Sequence, residues 1–310
     1  MDRVCTKVGR FNNILRRLKF VLPRTSIDTL LKLKIRPVIE YANVLYDNCT
    51  RKLANRLERL QLESARICTG GLRHTNSSKL LKEVGWDPLF MRRQWHKLVL
   101  FYKMVNHMVT EYLNSLCPSL VSTVSRYPLR NSNSLQLIRC RTSGYTNSFL
   151  PSSVKAWNAL APSIRNMPTL NSFKSKLISQ TACQKPPSHY SHGNRSEAIH
   201  HTRMRLGAST LNVDLFARGL CASPACVCGN QRETTCHFLL HCPQFIIQRR
   251  KLLLNIRDII APGTNPTLLL NMNETRYKDI LLCVSDDLDT VNNVLLFNAV
   301  HTFVSESARF

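Results

Sequence analysis

The sequence predicts a mainly α-helical protein made of a larger helical domain followed by a small C-terminal helical domain. Two long segments, residues 51–68 and 87–112, repeat small or apolar side chains at spacings of three and four, the period of one helix face. A tight group of cysteines and histidines over 226–242 indicates the second domain. A minor β-hairpin is expected between them, where "SLQLIRCRTS" (134–143) lacks helical periodicity.

The first long helix is predicted over residues 51–68, and the Gly70-Gly71 pair ends it. The second opens at Asp87-Pro88, a capping residue followed by the residue best tolerated in a first helical turn. Shorter helices are expected near 151–160, 170–178, 197–206 and 245–259, with a terminal helix after residue 286.

Composition divides the chain into four predicted parts. Residues 1–117 form the helical domain, and residues 118–183 form a basic extension rich in Ser, Asn, Pro and Arg. The segment "QKPPSHYSHGN" (184–194) has the composition of a linker, and residues 195–310 follow as the C-terminal domain.

The chain is strongly basic, with 43 Lys and Arg against 19 acids and a formal charge of +24. No acidic residue occurs between Glu111 and Glu197, although basic residues accumulate there. An ordinary surface mixes both signs, so this pattern favours RNA or DNA as a partner. The candidate phosphate contacts are Arg51, Lys52, Arg56, Arg59, Arg92, Arg93, Arg126, Arg130, Arg139, Arg141, Lys174, Lys176, Arg203 and Arg205.

No apolar run approaches the roughly 20 residues that span a bilayer, and the charged N-terminus lacks the apolar core of a signal peptide. We therefore expect no membrane partner and a location in the cytoplasm, the nucleus or both. In that reducing setting the twelve cysteines read as free thiols or metal ligands rather than disulfides.

Four residues form the candidate metal site: Cys226, Cys228, His237 and Cys242, in the pattern C-x-C-x8-H-x4-C. Thiolate and imidazole groups in two clustered pairs are typical of tetrahedral zinc. The alternative is that the cysteines are simply buried as small apolar side chains. Three neighbours, Cys221, Cys236 and His241, can substitute as ligands but are interpreted as spares that line an apolar wall or face solvent.

The chain lacks the residues of a catalytic centre. Two-metal polymerases and nucleases need converging carboxylates, and the one adjacent acidic pair, Asp286-Asp287, is interpreted as part of the cap and first turn of the last helix. No phosphate-binding glycine loop or nucleophile motif occurs. The sequence therefore predicts no enzymatic activity for this chain alone.

Several segments, in this order, resemble the region after the polymerase palm in jockey-like non-LTR retrotransposon reverse transcriptases. They are "IRPVIEYANVLY" (35–46), "LERLQLESARICTGG" (57–71), "LLKEVGWDPLFMRR" (80–93), "FLPSSVKAWNALAPSIRNMPTLNSFKSKL" (149–177), "MRLGASTLNVDLFARGL" (204–220), the Cys/His segment that follows, and "FVSESARF" (303–310). The resemblance implies a thumb-like first domain and a zinc-stabilised Cys-Cys-His-Cys module. Tyr46 departs from it, since the family more often has tryptophan there.

The family's palm, with its catalytic aspartates, would precede Met1. The resemblance therefore implies the nucleic-acid-binding C-terminal part of an RNA-directed DNA polymerase, which grips RNA or an RNA–DNA duplex and has the catalytic part of the same element as a possible partner. Two alternatives remain open: a zinc-dependent interaction or scaffold protein domesticated from such an element, and a truncated remnant without a function.

Overall fold

The computed structural model of the chain describes residues 2–124, 133–179, 182–183, 185–260, 273–283 and 288–310. Within those ranges the regular structure is helical, and no strand or sheet is formed. This confirms the mainly α class. Two candidate phosphate contacts, Arg126 and Arg130, lie outside the described residues, as do Asp286 and Asp287.

The α-helices vary from single turns to rods of nineteen residues. They are α1 (Asp2–Leu18), α2 (Arg24–Leu30), α3 (Arg36–Glu40), α4 (Arg51–Thr69), α5 (Ser77–Val84), α6 (Leu89–Val105), α7 (Glu111–Ser115), α8 (Val121–Val124), α9 (Ser143–Thr146), α10 (Phe149–Ala159), α11 (Pro162–Arg165), α12 (Leu170–Ser179), α13 (Arg195–Arg205), α14 (Asn212–Phe216), α15 (Ile246–Ile260), α16 (Glu274–Leu282) and α17 (Thr290–Ser307). Two π-helical turns, Leu31–Ile35 and His237–His241, and two 3₁₀ turns, Ser188–Ser191 and Pro243–Phe245, complete the set in the described residues.

The first predicted long helix is α4, which ends at Thr69 where Gly70 takes a left-handed φ of 74°. The second is wrong in length, because α6 stops at Val105 and a new helix, α7, begins at residue 111. His107 adopts φ 55°, and the amide of Met108 donates to the carbonyl of Lys103 at 2.8 Å. This hydrogen-bonded reversal is a Schellman motif, which ends a helix whatever the apolar stripe beyond it suggests.

The hairpin expected around residues 134–143 is not found in the described residues. The segment makes a single antiparallel bridge, between Leu120 and Leu135. The amide of Gln136 donates to the carbonyl of Ser119 at 2.9 Å, and the amide of Val121 donates to Ser134 at 2.9 Å. The pairing goes no further, and the chain from 136 to 142 has no regular structure.

The described chain divides into two compact units that are discontinuous in sequence. The first comprises residues 1–5, 36–60 and 87–183, and the second comprises 6–35, 61–86 and 184–310. The scheme predicted from composition has consecutive domains instead. In the structure the segments 6–35 and 61–86 are in the same unit as residues 184–310, which no shift in composition indicates.

The first unit has an aromatic core where α6 packs against α10 and α12. Tyr102 stacks on Phe173 with ring centroids 4.4 Å apart, and Trp157 meets Phe101 edge-on at 5.6 Å. All four rings are buried. The buried Tyr102 hydroxyl donates to the carbonyl of Met167 at 2.7 Å, so its polar atom is satisfied.

The second unit has its core where α15 and α13 pack against α17. The predicted linker is part of this packing. His189 is buried, and Tyr190 stacks on Phe297 with centroids 5.4 Å apart. The guanidinium of Arg205 lies 3.9 Å from the centre of the Tyr190 ring. Residues 188–191 therefore form a packed 3₁₀ turn rather than a solvated spacer.

A buried ion cluster also lies in the second unit. The Glu83 carboxylate accepts hydrogen bonds from Arg24 at 2.9 Å and from Arg205 at 2.7 Å, and all three side chains are at least 94% buried. Burial alone would raise the pKa of Glu83, but the Arg205 and Arg24 guanidinium groups hold it below its ordinary value.

Among the described helices, none combines the length and the apolar composition that a membrane span needs.

Candidate metal centre and basic surfaces

The first half of the candidate metal centre is a tight turn at residues 226–230. The amide of Cys226 donates to the carbonyl of Asn230 at 2.9 Å, and the amide of Gly229 donates back to Cys226 at 3.0 Å. Gly229 takes φ 92°, a conformation that L side chains rarely adopt. This turn brings the thiols of Cys226 and Cys228, which one residue separates in sequence, within 4.8 Å of each other.

The second half is the π-helical turn His237–His241, which Cys242 ends. The amide of Cys242 donates to the carbonyl of His237 at 2.7 Å, the i→i+5 bond that defines a π-turn. Residues five apart are thereby stacked about one turn above each other. π-turns are rare and occur frequently at functional sites. Here the turn presents His237 and Cys242 to the tight turn at 226–230.

The four side chains converge on one point. The Cys226 and Cys242 sulfurs are 3.7 Å apart, and the Cys228 sulfur is 3.2 Å from Nε2 of His237. All four donor atoms lie within 4.8 Å of one another. Zinc–sulfur bonds of about 2.3 Å at tetrahedral angles separate two sulfurs by about 3.8 Å, and sulfur from nitrogen by about 3.6 Å. The cluster therefore fits one tetrahedral metal ion.

Burial shifts the pKa values of three of the four side chains. Burial lowers the pKa of His237, which keeps its imidazole neutral and able to donate a lone pair. Burial raises the pKa values of the Cys226 and Cys242 thiols. A metal would therefore displace protons from these thiols on binding, so its affinity depends on pH.

A buried arginine is hydrogen-bonded to the backbone of the π-turn. The Arg249 guanidinium on α15 donates to the carbonyls of Leu239 at 2.9 Å, Phe238 at 3.3 Å and Cys242 at 2.6 Å. The Cys242 carbonyl also accepts from the amide of Phe245 at 3.2 Å, the first hydrogen bond of the 3₁₀ turn that follows. Arg249 is thus a positioning residue for the candidate ligand Cys242.

The end of the chain closes over the same module. Arg309 donates to the Glu233 carboxylate at 2.6 and 2.7 Å, and that carboxylate also accepts from the amide of Asn212 at 2.7 Å. Phe310 meets Phe238 edge-on at 5.3 Å. Residues 212, 233 and 309 are far apart in sequence, so single-sequence reasoning does not find these contacts.

The neighbours interpreted as spares have different positions. Cys221 is hydrogen-bonded to the carbonyls of Asn212 and Ser223. Cys236 and His241 lie together with Glu274, and the three donor atoms are within 4.8 Å of one another. They form a second cluster, distinct from the four-ligand one.

The candidate phosphate contacts on α4 are exposed. Lys52, Arg56 and Arg59 are spaced by four and three residues on the part of α4 that lies in the first unit, so they share one face. Arg51 beside them is also exposed, and Arg56 forms a solvent-exposed ion pair with Asp2. This face is a compact basic surface on one helix.

The candidates on α6 and α13 are engaged in ion pairs or carbonyl contacts. Arg92 pairs with Glu40 and Arg93 pairs with Asp47, and both arginine side chains are at least 83% buried. In the second unit Arg203 donates to the carbonyl of Gly70 at 2.8 Å. Arg205 is 4% exposed in its pair with Glu83. These four side chains hold the fold and do not belong to the exposed basic surface.

The remaining candidates belong to the basic extension of the first unit. Arg139 and Arg141 are exposed in the irregular segment that follows the Leu120–Leu135 bridge. On α12, Lys176 is exposed and Lys174 is partly buried. Three of these four are therefore open to a ligand, whereas Lys174 is less so.

Comparison of the chain with models of protein families, with curated proteins and with solved structures finds no match in any of the three.

Proposed function

We propose that this chain is a zinc-stabilised nucleic-acid-binding protein, the C-terminal part of a jockey-like non-LTR retrotransposon reverse transcriptase. The observation that carries the proposal is the convergence of Cys226, Cys228, His237 and Cys242 within 4.8 Å. These are the residues on which the resemblance places the family's Cys-Cys-His-Cys module. Three thiols and one imidazole in a tetrahedral arrangement are typical of structural zinc, which leaves no open position for catalysis.

Zinc would act here by folding the segment around it. Between residues 221 and 234 the chain forms no helix and no strand. A segment of this kind gains its stability from metal–ligand bonds, so metal binding energy becomes folding energy. The Phe238 side chain of the π-turn then packs against Phe245 and Phe303 and joins the module to the core of the second unit.

Nucleic acid is the proposed partner because of the charge. The formal net charge is +24, and the α4 face of Lys52, Arg56 and Arg59 presents three exposed cations with a spacing of one helical turn. Each phosphate that a cation neutralises releases counterions, which makes binding depend on salt. RNA or an RNA–DNA duplex, the ligand implied by the resemblance, is the expected form.

The test is RNA binding measured by fluorescence anisotropy over a range of salt concentrations from about 50 to 300 mM. A triple variant, Lys52→Gln, Arg56→Gln and Arg59→Gln, removes three phosphate contacts, so the slope of log affinity against log salt should become shallower by about 2 to 3. The matched control, Arg250→Gln, Lys251→Gln and Arg257→Gln, removes the same charge from exposed positions on α15 and should change the slope by less than about 1.

The outcomes separate the alternatives. Equal changes in the two triple variants mean that net charge alone attracts RNA and that the α4 face is not a site. If the chain binds neither RNA nor, in the same assay, an RNA–DNA duplex or DNA at the lowest salt concentration, the nucleic-acid function is refuted. The zinc-dependent scaffold protein or the truncated remnant is then the better explanation.

A further inference from the structure

The π-turn places a second set of metal-type donors directly beside the first. Cys236 precedes His237, and His241 precedes Cys242, so the pair Cys236/His241 has the same five-residue separation as His237/Cys242 in a register shifted by one. Because the turn carries the i→i+5 bond, residues with this separation are brought near each other. One turn can therefore present two donor pairs.

A carboxylate from a distant part of the chain completes this second set. Nε2 of His241 is 3.1 Å from one oxygen of Glu274, and the Cys236 sulfur is 3.7 Å from the other. Glu274 is the first residue of α16, whose start is fixed by the Asn273 side chain accepting from the amide of Thr275 at 3.1 Å. A capped helix start thus places the carboxylate beside the thiol and the imidazole.

We infer that Cys236, His241 and Glu274 form a second metal site, which binds a borderline divalent cation such as Zn²⁺ with one coordination position open to solvent. A metal at about 2.0 to 2.3 Å from each donor separates sulfur from oxygen by about 3.5 Å and nitrogen from oxygen by about 3.4 Å. The two short distances here run to different oxygens of Glu274, and one donor atom from each of the three residues lies within 4.8 Å of the others, which is close enough for one ion. An ion pair needs only two of the three groups, whereas a metal uses all of them. Thiolate, imidazole and carboxylate together select zinc over magnesium or calcium.

The second site differs from the first in exposure. The His241 and Glu274 side chains are 48% and 66% exposed, whereas Cys226, His237 and Cys242 are buried. With three protein ligands the site has an open position, as exchangeable and catalytic zinc sites do. It would bind zinc more weakly than the four-ligand centre and exchange it with solvent, and it would fasten α16 to the π-turn.

The experiment is native mass spectrometry of the full chain, stripped of metal under reducing conditions and titrated with zinc. The wild type should take two ions, the second being removed first by a weak chelator. The variant His241→Gln/Glu274→Gln should take one, and so should Cys236→Ser. The matched controls His192→Gln and Glu306→Gln, at exposed positions outside both clusters, should still take two.

A wild type that saturates at one ion lost in Cys242→Ser overturns the inference and leaves the four-ligand centre intact. A His241→Gln/Glu274→Gln variant that still takes two ions overturns it as well. A single ion that Glu274→Gln abolishes and Cys242→Ser retains supports the second site and refutes the first. Glu274 and His241 are exposed, so their substitution tests the site without threatening the core.

Discussion

Replacing Glu83 by glutamine should lower the free energy of unfolding of the second unit by more than a substitution at an exposed position does. Glu83 is 5% exposed and balances two guanidinium groups, those of Arg24 and Arg205, at 2.9 and 2.7 Å. The variant keeps the shape of the side chain but leaves two buried positive charges without a counter-ion. Removing one partner of a buried pair costs about 3 to 5 kcal/mol, so we expect a loss of ~3 kcal/mol or more at neutral pH.

The matched control is Glu306→Gln, the same substitution in the exposed pair with Lys251. An exposed ion pair contributes about 0 to 1 kcal/mol, so this variant should stay near the wild type. The assay is urea unfolding followed by Trp86 fluorescence, since Trp86 lies in the second unit and is hydrogen-bonded to Asp28. Trp95 and Trp157 belong to the first unit and are changed to phenylalanine in every protein compared.

The pH dependence gives a second signature. Because the folded pKa of Glu83 is lowered from an ordinary 4.5, its stabilisation is complete above that pH and is lost as pH falls through the lower folded value. The difference between wild type and Glu83→Gln should therefore shrink on acidification. A Glu83→Gln protein within ~0.5 kcal/mol of the wild type at neutral pH would refute the assignment of a buried, charged cluster.

The remaining predictions concern backbone space, the π-turn and titration. Gly193→Ala should destabilise the second unit by about 1 to 3 kcal/mol in urea, because Gly193 has φ 85° and a Cβ would meet the His301 ring at 2.4 Å; Gly207→Ala, with φ 62° and no neighbour within 4 Å, should cost less. Arg249→Met should lower zinc affinity in chelator competition by about 10- to 100-fold, since it removes the hydrogen bonds that the guanidinium donates to three carbonyls of the turn. Burial and then the nearby charge of Arg205 lower the pKa of His301 from 6.5 to about 4. The folded protein excludes the proton that His301 binds in the unfolded chain, so the free energy of unfolding falls by up to about 3 kcal/mol between pH 6.5 and pH 4. In His301→Gln the free energy of unfolding, measured in urea, should depend less on pH in that window.

Sequence reasoning predicted well where the signal is local. The small-to-apolar stripe of α4 and the helix end at Gly70-Gly71 depend on neighbouring residues, and both are found. The four candidate metal ligands lie within 17 residues, and the structure brings their donor atoms together. The predicted length of the second helix was wrong for a local reason too. The left-handed turn at His107 ends α6, although the apolar stripe continues to Tyr112.

Reasoning from sequence failed where partners are distant. Arg205 reads as a free surface charge, but its partner Glu83 lies 122 residues away. Cys236 reads as a spare thiol, but Glu274 lies 38 residues away. Composition and periodicity do not indicate a pairing across such a distance. Whether a side chain is buried depends on which helices pack together, and not on the residues next to it in sequence.

The zinc content of the purified chain, after dialysis against metal-free buffer under reducing conditions, tests the central claim most directly. We expect about one tightly held ion per chain, because four protein ligands close the coordination sphere. Cys242→Ser should abolish it, whereas Cys221→Ser, outside both clusters, should retain it. A wild type with no retained zinc, or a Cys242→Ser variant with the wild-type content, would contradict the metal centre formed by Cys226, Cys228, His237 and Cys242.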